Sequence, residues 1–193
     1  MRVTQQQPEE FRADVIRTKK LLEDIGGCSV RGYRAASYSI GASNLWALDV
    51  LRETGHEYSS SIYPIRHDLY GWPAAPRFAF RHNGLLEIPV TTVELLNRKL
   101  PCGGGGYFRL LPYHVSRWAM RRVNEHDGQS CIFYFHPWEI DPEQPRPEKL
   151  KLKTRFRHYL NLGRMQHRLT RLLGDFRWGR MDDIFLARAK AAA

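Results

Sequence analysis

Cysteine is scarce. Cys28, Cys102 and Cys131 are odd in number, far apart and without a C-x-x-C pair, which excludes a disulfide framework or a cysteine zinc site and suits a reducing compartment. No apolar run approaches the length that spans a bilayer. The opening MRVTQQQPEEF has no apolar stretch of the secretory kind, so the expectation is a cytoplasmic chain. Short enzyme signatures are missing too: there is no H-E-x-x-H and no G-x-S-x-G. No Lys-Ser or Lys-Thr follows the glycines of PCGGGGYF (101–108), which leaves them to tight turning or close backbone approach rather than to a phosphate. The eight histidines show no ligand spacing, and no internal repeat occurs.

Acid is in short supply as well. Twenty Asp or Glu stand against thirty Lys or Arg, a net charge of +10, and the excess is unevenly placed. Between Arg146 and Arg180 eleven Lys or Arg face only Glu148 and Asp175. Such a segment suits an anionic partner, an acidic polymer or lipid surface, and equally the solvated face of a helix. Against these shortages, 42% hydrophobic and 12% aromatic residues argue for a folded globular protein.

Along the chain, PEEFRADVIRTKKLLEDIGG reads as a helix with Pro8 in its first turn, Glu9 and Glu10 where the dipole favours them and a Gly-Gly stop. Phe11, Val15, Leu22 and Ile25 share one of its faces. NLWALDVLRETG is a second helix closed by Gly55, and LPYHVSRWAMRRVNEHDG a third. Strands are expected near 29–34, 57–61, 86–92 and 131–136, the third bent at Pro89. Helices alternating with strands indicate an α/β protein with parallel strands. After the Pro-rich connector EQPRP (143–147), residues 150–173 read as one or two basic helices with a break near Gly163. Phe156, Tyr159, Leu160, Leu169, Leu172 and Leu173 face inward and Arg and Lys outward.

CIFYFHPWEID (131–141) holds the most pointed arrangement: a strand-like run that ends on His136 and is stopped by Pro137. A histidine at the carboxyl end of a buried strand sits where α/β folds keep their chemistry, although a strand-end histidine can also serve the nearby backbone alone.

RGYRAASYSI (31–40), WALDVLRETGHEYSSSIYPIRHD (46–68), GGGGYFRLLP (103–112) and FYFHPWEIDPEQPR (133–146) together resemble the polysaccharide deacetylase (NodB-homology) family of exopolysaccharide gene clusters. The closer resemblance is to the subgroup linked to exosortase-type protein sorting, and it runs from about Pro8 to Trp178. The resemblance implies a partial, distorted (β/α) barrel, an open arc of parallel strands with flanking helices, plus a basic C-terminal helical tail. It implies removal of acetyl groups from an N-acetylated polysaccharide by a complete enzyme that uses a divalent metal, zinc in most members. His136 matches the family's general acid, and Arg34 matches the arginine that orients a catalytic carboxylate. Trp46 matches an apolar wall of the site, and with Trp72, Tyr107 and Trp138 it is a candidate for stacking on sugar rings, the alternative for each being plain packing.

The departures from the family pattern shape the expectation. The Asp-Asp and H-x-x-x-H motifs that supply the metal ligands are absent, so the catalytic carboxylate is absent with them and no metal is expected in this chain. Ala36 stands where proline is usual, and Ser59 in a segment that often has aspartate. The sequence thus reads as the carboxyl-terminal part of a deacetylase, inactive alone: residues 1–142 in the barrel, 143–180 a basic helical extension and 181–193 a disordered tail. An amino-terminal deacetylase segment or another copy of the chain would complete it. Two further readings stay open, a non-catalytic carbohydrate-binding remnant and a basic protein holding an anionic polymer or the acidic inner membrane surface. No nucleic-acid motif supports a nucleic-acid partner.

Overall fold

Pro8, a reciprocal cap in which Glu10 accepts the N–H of Gln7 at 3.0 Å, and Gly27 at φ +60° bound the first helix, α1 (Pro8–Gly26). The structure, a computed structural model, describes residues 1–68 and 70–187. Its elements continue as β1 (Gly32–Tyr33), α2 (Trp46–Glu53), β2 (Tyr58–Ser59), β3 (Phe80–His82), β4 (Leu85–Glu87), β5 (Thr92–Leu95), β6 (Arg98–Pro101), α3 (Gly105–Leu110), α4 (Tyr113–Glu125), α5 (Leu152–Tyr159) and α6 (Leu162–Asp175). Six helices and two open sheets among the described residues make a mixed α/β protein. No helix among them is long and apolar enough to cross a membrane.

The chain divides into two compact units, Met1–Val90 with the segment from Arg180 onward, and Thr91–Gly179. The division at Val90 falls one residue after Pro89, where a strand ladder cannot continue. The boundary expected at 142/143 lies inside the second unit instead. The expected single strand over 86–92 becomes β4 and β5 in different sheets.

In the first unit, β1 and β4 flank β2 in parallel, with Tyr33, Ser59 and Glu87 in register. β3 pairs antiparallel with β4 through a tight turn at Asn83-Gly84, both at positive φ. The core beneath contains Phe11, Val15, Ile40, Leu48, Leu51, Ile62 and Leu85. Leu22 and Ile25, expected on the buried face of α1, are 50% and 76% exposed. α1 packs against α2, and nineteen residues overhang the eight of α2, so its last turns leave the core behind. Asp182–Leu186 forms a π-helical turn with Leu186 buried, where a disordered tail was expected. The remainder of that tail, 188–193, lies outside the described residues.

In the second unit, β5 and β6 form an antiparallel hairpin, and α3, α4 and α6 pack around Phe108, Met120, Met165 and Leu172. No strand forms over 131–136. That segment is extended but its backbone-to-backbone bonds to a neighbouring segment centre on Tyr134, whose N–H donates to the Gly103 carbonyl and whose carbonyl accepts from Gly105, both at 2.8 Å. Its neighbour on that edge is a glycine run already turning into α3, so the ladder cannot lengthen. The break between the two tail helices falls at Leu160-Asn161, with Asn161 in the left-handed region at φ +53°, and Gly163 sits inside α6. Phe156 and Leu173, expected inward, are 57% and 55% exposed, while Leu162 and Met165 fill the core. Arg168 does not face outward either. One of its nitrogens, Nη1, donates to the carbonyls of Phe108, Arg109 and Leu111 at 2.9–3.0 Å and so closes the carboxyl end of α3.

Candidate functional site

His136 ends the extended run and caps the 3-10 turn Pro137–Ile140. Three residues on, Glu139 folds its carboxylate back. Its Oε2 accepts the His136 backbone N–H at 2.8 Å and stands 3.5 Å from the His136 Nδ1. The imidazole is 58% exposed, and its ring stacks on Trp138 at 5.6 Å. One nitrogen thus faces a carboxylate while the ring as a whole stays open to a ligand, an arrangement suited to proton transfer.

Glu139 itself is buried, and Arg109 in α3 holds it. Arg109 Nε donates to Glu139 Oε1 at 3.0 Å, and both side chains are 2% exposed. The rest of the guanidinium donates to the carbonyls of Arg157, His158 and Leu160 at 2.6–3.1 Å and lies over the Trp138 ring at 5.3 Å. On Trp138 also stacks His158, at 4.0 Å. Burial, and then the Arg109 charge, holds His158 below its ordinary pKa. Gln144 donates its amide to the carbonyls of Trp138 and Asp141, which leaves its oxygen to accept from His158 Nε2 at 2.9 Å. The Gly-rich run makes this possible by close approach. A Cβ on Gly103 would meet the Ile132 carbonyl, and one on Gly105 would stand 2.3 Å from Glu139 Oε2.

The first unit carries a second polar cluster at the carboxyl ends of its parallel strands, where open α/β sheets place ligands. Arg34, directly after β1, donates from Nε to the Ser60 carbonyl at 3.0 Å and from Nη2 to Ser60 Oγ at 2.9 Å. Among the described residues it makes no ion pair, and its one further hydrogen bond is a 3.8 Å contact with Met181 Sδ. Glu87, at the end of β4, is fully buried. Its Oε1 accepts the N–H groups of Ser61 and Ile62, each at 2.8 Å. Burial pushes its carboxyl above the ordinary value, against the lowering pull of the Ser59 hydroxyl, those two N–H groups and Arg34.

The residues singled out in the sequence divide between the units. Arg34 and Trp46 belong to the first, and His136, Tyr107 and Trp138 to the second. Trp46 packs against the first core with its ring edge-on to Phe11 at 5.7 Å. Tyr107 is half-buried in α3. His136 and Trp138 are brought together. Glu139, a candidate on sequence grounds for the carboxylate beside Arg34, pairs with Arg109 instead, and its spacing three residues after His136 is that of an N-terminal cap, whereas Arg109 and Glu87 were not anticipated. No group of three or more His, Cys, Asp or Glu among the described residues is arranged to hold a metal ion.

Residues 60–186 match a family described as a domain of unknown function, DUF3473. The match covers well over half of the chain, which therefore belongs to that family. No curated protein and no solved structure matches.

Proposed function

We propose that this chain is the sugar-binding, proton-donating part of a polysaccharide deacetylase. In this reading the β1–β2–β4 edge is a piece of the incomplete barrel that the family resemblance implies. His136 is the general acid that protonates the departing amine of an N-acetylated sugar, and Trp138 is the ring against which that sugar packs. The observation that carries the reading is the exposed His136 imidazole, stacked on Trp138 and faced by a carboxylate that Arg109 locks in place. Buried Glu139 fixes the loop so that the histidine is presented rather than mobile. The zinc of the implied complete enzyme would supply an activated water, but no group of His, Cys, Asp or Glu among the described residues fits it. Arg34 would orient a carboxylate supplied from outside the described cluster, using the face not committed to Ser60.

The same exposed imidazole stacked on Trp138 also supports a second reading, carbohydrate binding without catalysis. The two separate cleanly. Titrating the chain with a chito-oligosaccharide should shift the NMR signals of the His136 ring and the Trp138 indole under both readings, and the absence of any shift there would refute both. Joined to a deacetylase segment bearing the Asp-Asp and H-x-x-x-H motifs, the chain should release acetate. His136→Ala should then lower kcat by about 10²–10⁴-fold with little change in KM. Turnover within a few-fold of the parent would remove His136 from the chemistry and leave binding alone.

A further inference from the structure

The outer face of α4 presents an assembly that the His136 cluster does not use. At helical spacing it carries His114, Arg117, Trp118, Arg121, Arg122 and Glu125, which line a groove of about 410 Å³. The opposite face of the same helix is apolar and buried through Tyr113, Ala119, Met120 and Val123, so this stripe is fixed outward. Trp118 is 46% exposed, and its indole makes no ring contact among the described residues. Of the three arginines only Arg117 is committed, to Asp175 at 2.8 Å. Arg121 and Arg122 make no side-chain hydrogen bond or ion pair among the described residues. The unit around the groove holds sixteen Lys or Arg against eight Asp or Glu, so its field favours an anion.

Here Arg121 and Arg122 stand one helical turn from the half-exposed Trp118, Arg121 also lending its charge to Asp175, and Glu125 is the single acid of the lining. The flat face of an indole packs against the C–H face of a pyranose, and a guanidinium binds a carboxylate through two parallel hydrogen bonds. The groove volume lies within the ~300–1,000 Å³ of small-ligand clefts, room for a short stretch of sugar rather than a duplex. A single-stranded nucleic acid would call for several aromatics in succession, and only one stands here.

We propose that this face of α4 is a binding site for an acidic polysaccharide, with Trp118 stacking on a uronic-acid ring and Arg121 and Arg122 clamping its carboxylate. The inference rests on the polysaccharide reading above and adds to it the charge class of the polymer and a second point of contact.

The test uses the whole chain and three probes of matched length: an oligogalacturonate, a neutral chito-oligosaccharide and a single-stranded oligonucleotide. Binding is followed by calorimetry and by the NMR signal of the Trp118 indole. The oligogalacturonate is expected to move the Trp118 signal, and Trp118→Ala and the double variant Arg121→Gln/Arg122→Gln are each expected to weaken its binding at least tenfold. All three substitutions lie on an exposed face, and the far-ultraviolet circular dichroism of each variant checks that it folds. Equal binding of the neutral oligosaccharide at Trp118, tighter binding of the oligonucleotide, or oligogalacturonate binding that survives both variants would each overturn the proposal. If His136 and Trp138 respond to the chito-oligosaccharide while Trp118 ignores the oligogalacturonate, the α4 site falls and the functional reading stands. The reverse pattern keeps the α4 site and discards that reading.

Discussion

Arg109→Met is the perturbation that most directly interrogates how the second unit holds its candidate site. The arginine is 1% exposed and joins α3 to the His136 turn and to the end of α5 through Glu139 and three backbone carbonyls. Methionine fills much of the same volume but leaves the Glu139 carboxylate buried without its cation. Removing one partner of a buried pair costs about 3–5 kcal/mol. Water can reach the half-buried carbonyls of His158 and Leu160, so their loss adds less than the full penalty of a sealed site. Against the ~5–15 kcal/mol total stability of a typical domain, the variant should sit near the edge of folding. Replacing both members, as in Arg109→Met with Glu139→Leu, removes the stranded charge and should recover at least half of the loss. Urea unfolding followed by amide exchange at Leu160 and Leu162, with Trp46 as a probe of the other unit, measures both effects. A single-variant cost below about 1 kcal/mol, or a double variant equal to the sum of its parts, would refute the reasoning, because either means that the charge is not buried and coupled as described.

Gly105→Ala should destabilise the second unit by about 1–3 kcal/mol, since its methyl would collide with a carboxylate that Arg109 prevents from moving, whereas Gly106→Ala meets open space and should be neutral or stabilising. Equal effects in thermal melts would dismiss the close-approach account of the glycine run. Glu87 has a folded-state pKa raised above the ordinary 4.5 by burial, so its contribution is intact below that value and stability falls as the pH climbs from there through the folded value. Glu87→Gln keeps an acceptor for the Ser61 and Ile62 N–H groups and cannot ionise, so it should flatten that fall, and an unchanged slope of unfolding free energy with pH would show that Glu87 is not the group responsible. Zinc added to the 193-residue chain should stay well below one equivalent after gel filtration, because a zinc site needs at least three converging protein ligands. One tightly held equivalent by elemental analysis would mean that the chain has a ligand set the described residues do not show.

Local chemistry was readable wherever a residue acts on its own neighbourhood. Pro8, Glu10 and the Gly-Gly pair announced α1, and the tip between β3 and β4 is an Asn-Gly turn that a closer reading of RHNGLLE would have found. The turn between β5 and β6 gave no such sign, since it puts Leu96, a residue that disfavours positive φ, at +49° beside Asn97. Tertiary partners were the harder matter. Pro137 correctly marks the end of the run at His136, but whether CIFYF becomes a strand depends on what lies beside it, and a glycine segment offers only two hydrogen bonds.

The candidate site shows the same limit most sharply. Glu139 reads in the sequence as a loop acid free to meet Arg34, because the residue that buries it stands thirty positions earlier in the chain. Arg168 stood in the basic segment expected to face outward, and Arg109 carried no assignment at all. Both side chains are drawn inward by carbonyls freed at the ends of α3 and α5, groups every helix end leaves unpaired and no sequence pattern advertises. Sequence charge therefore overstates how much of the second unit's cation content faces an anion: of its sixteen Lys or Arg, Arg109 and Arg168 bind backbone carbonyls and Arg117 pairs with Asp175, and a ligand must be sought where arginines make no side-chain hydrogen bond beside an exposed aromatic ring.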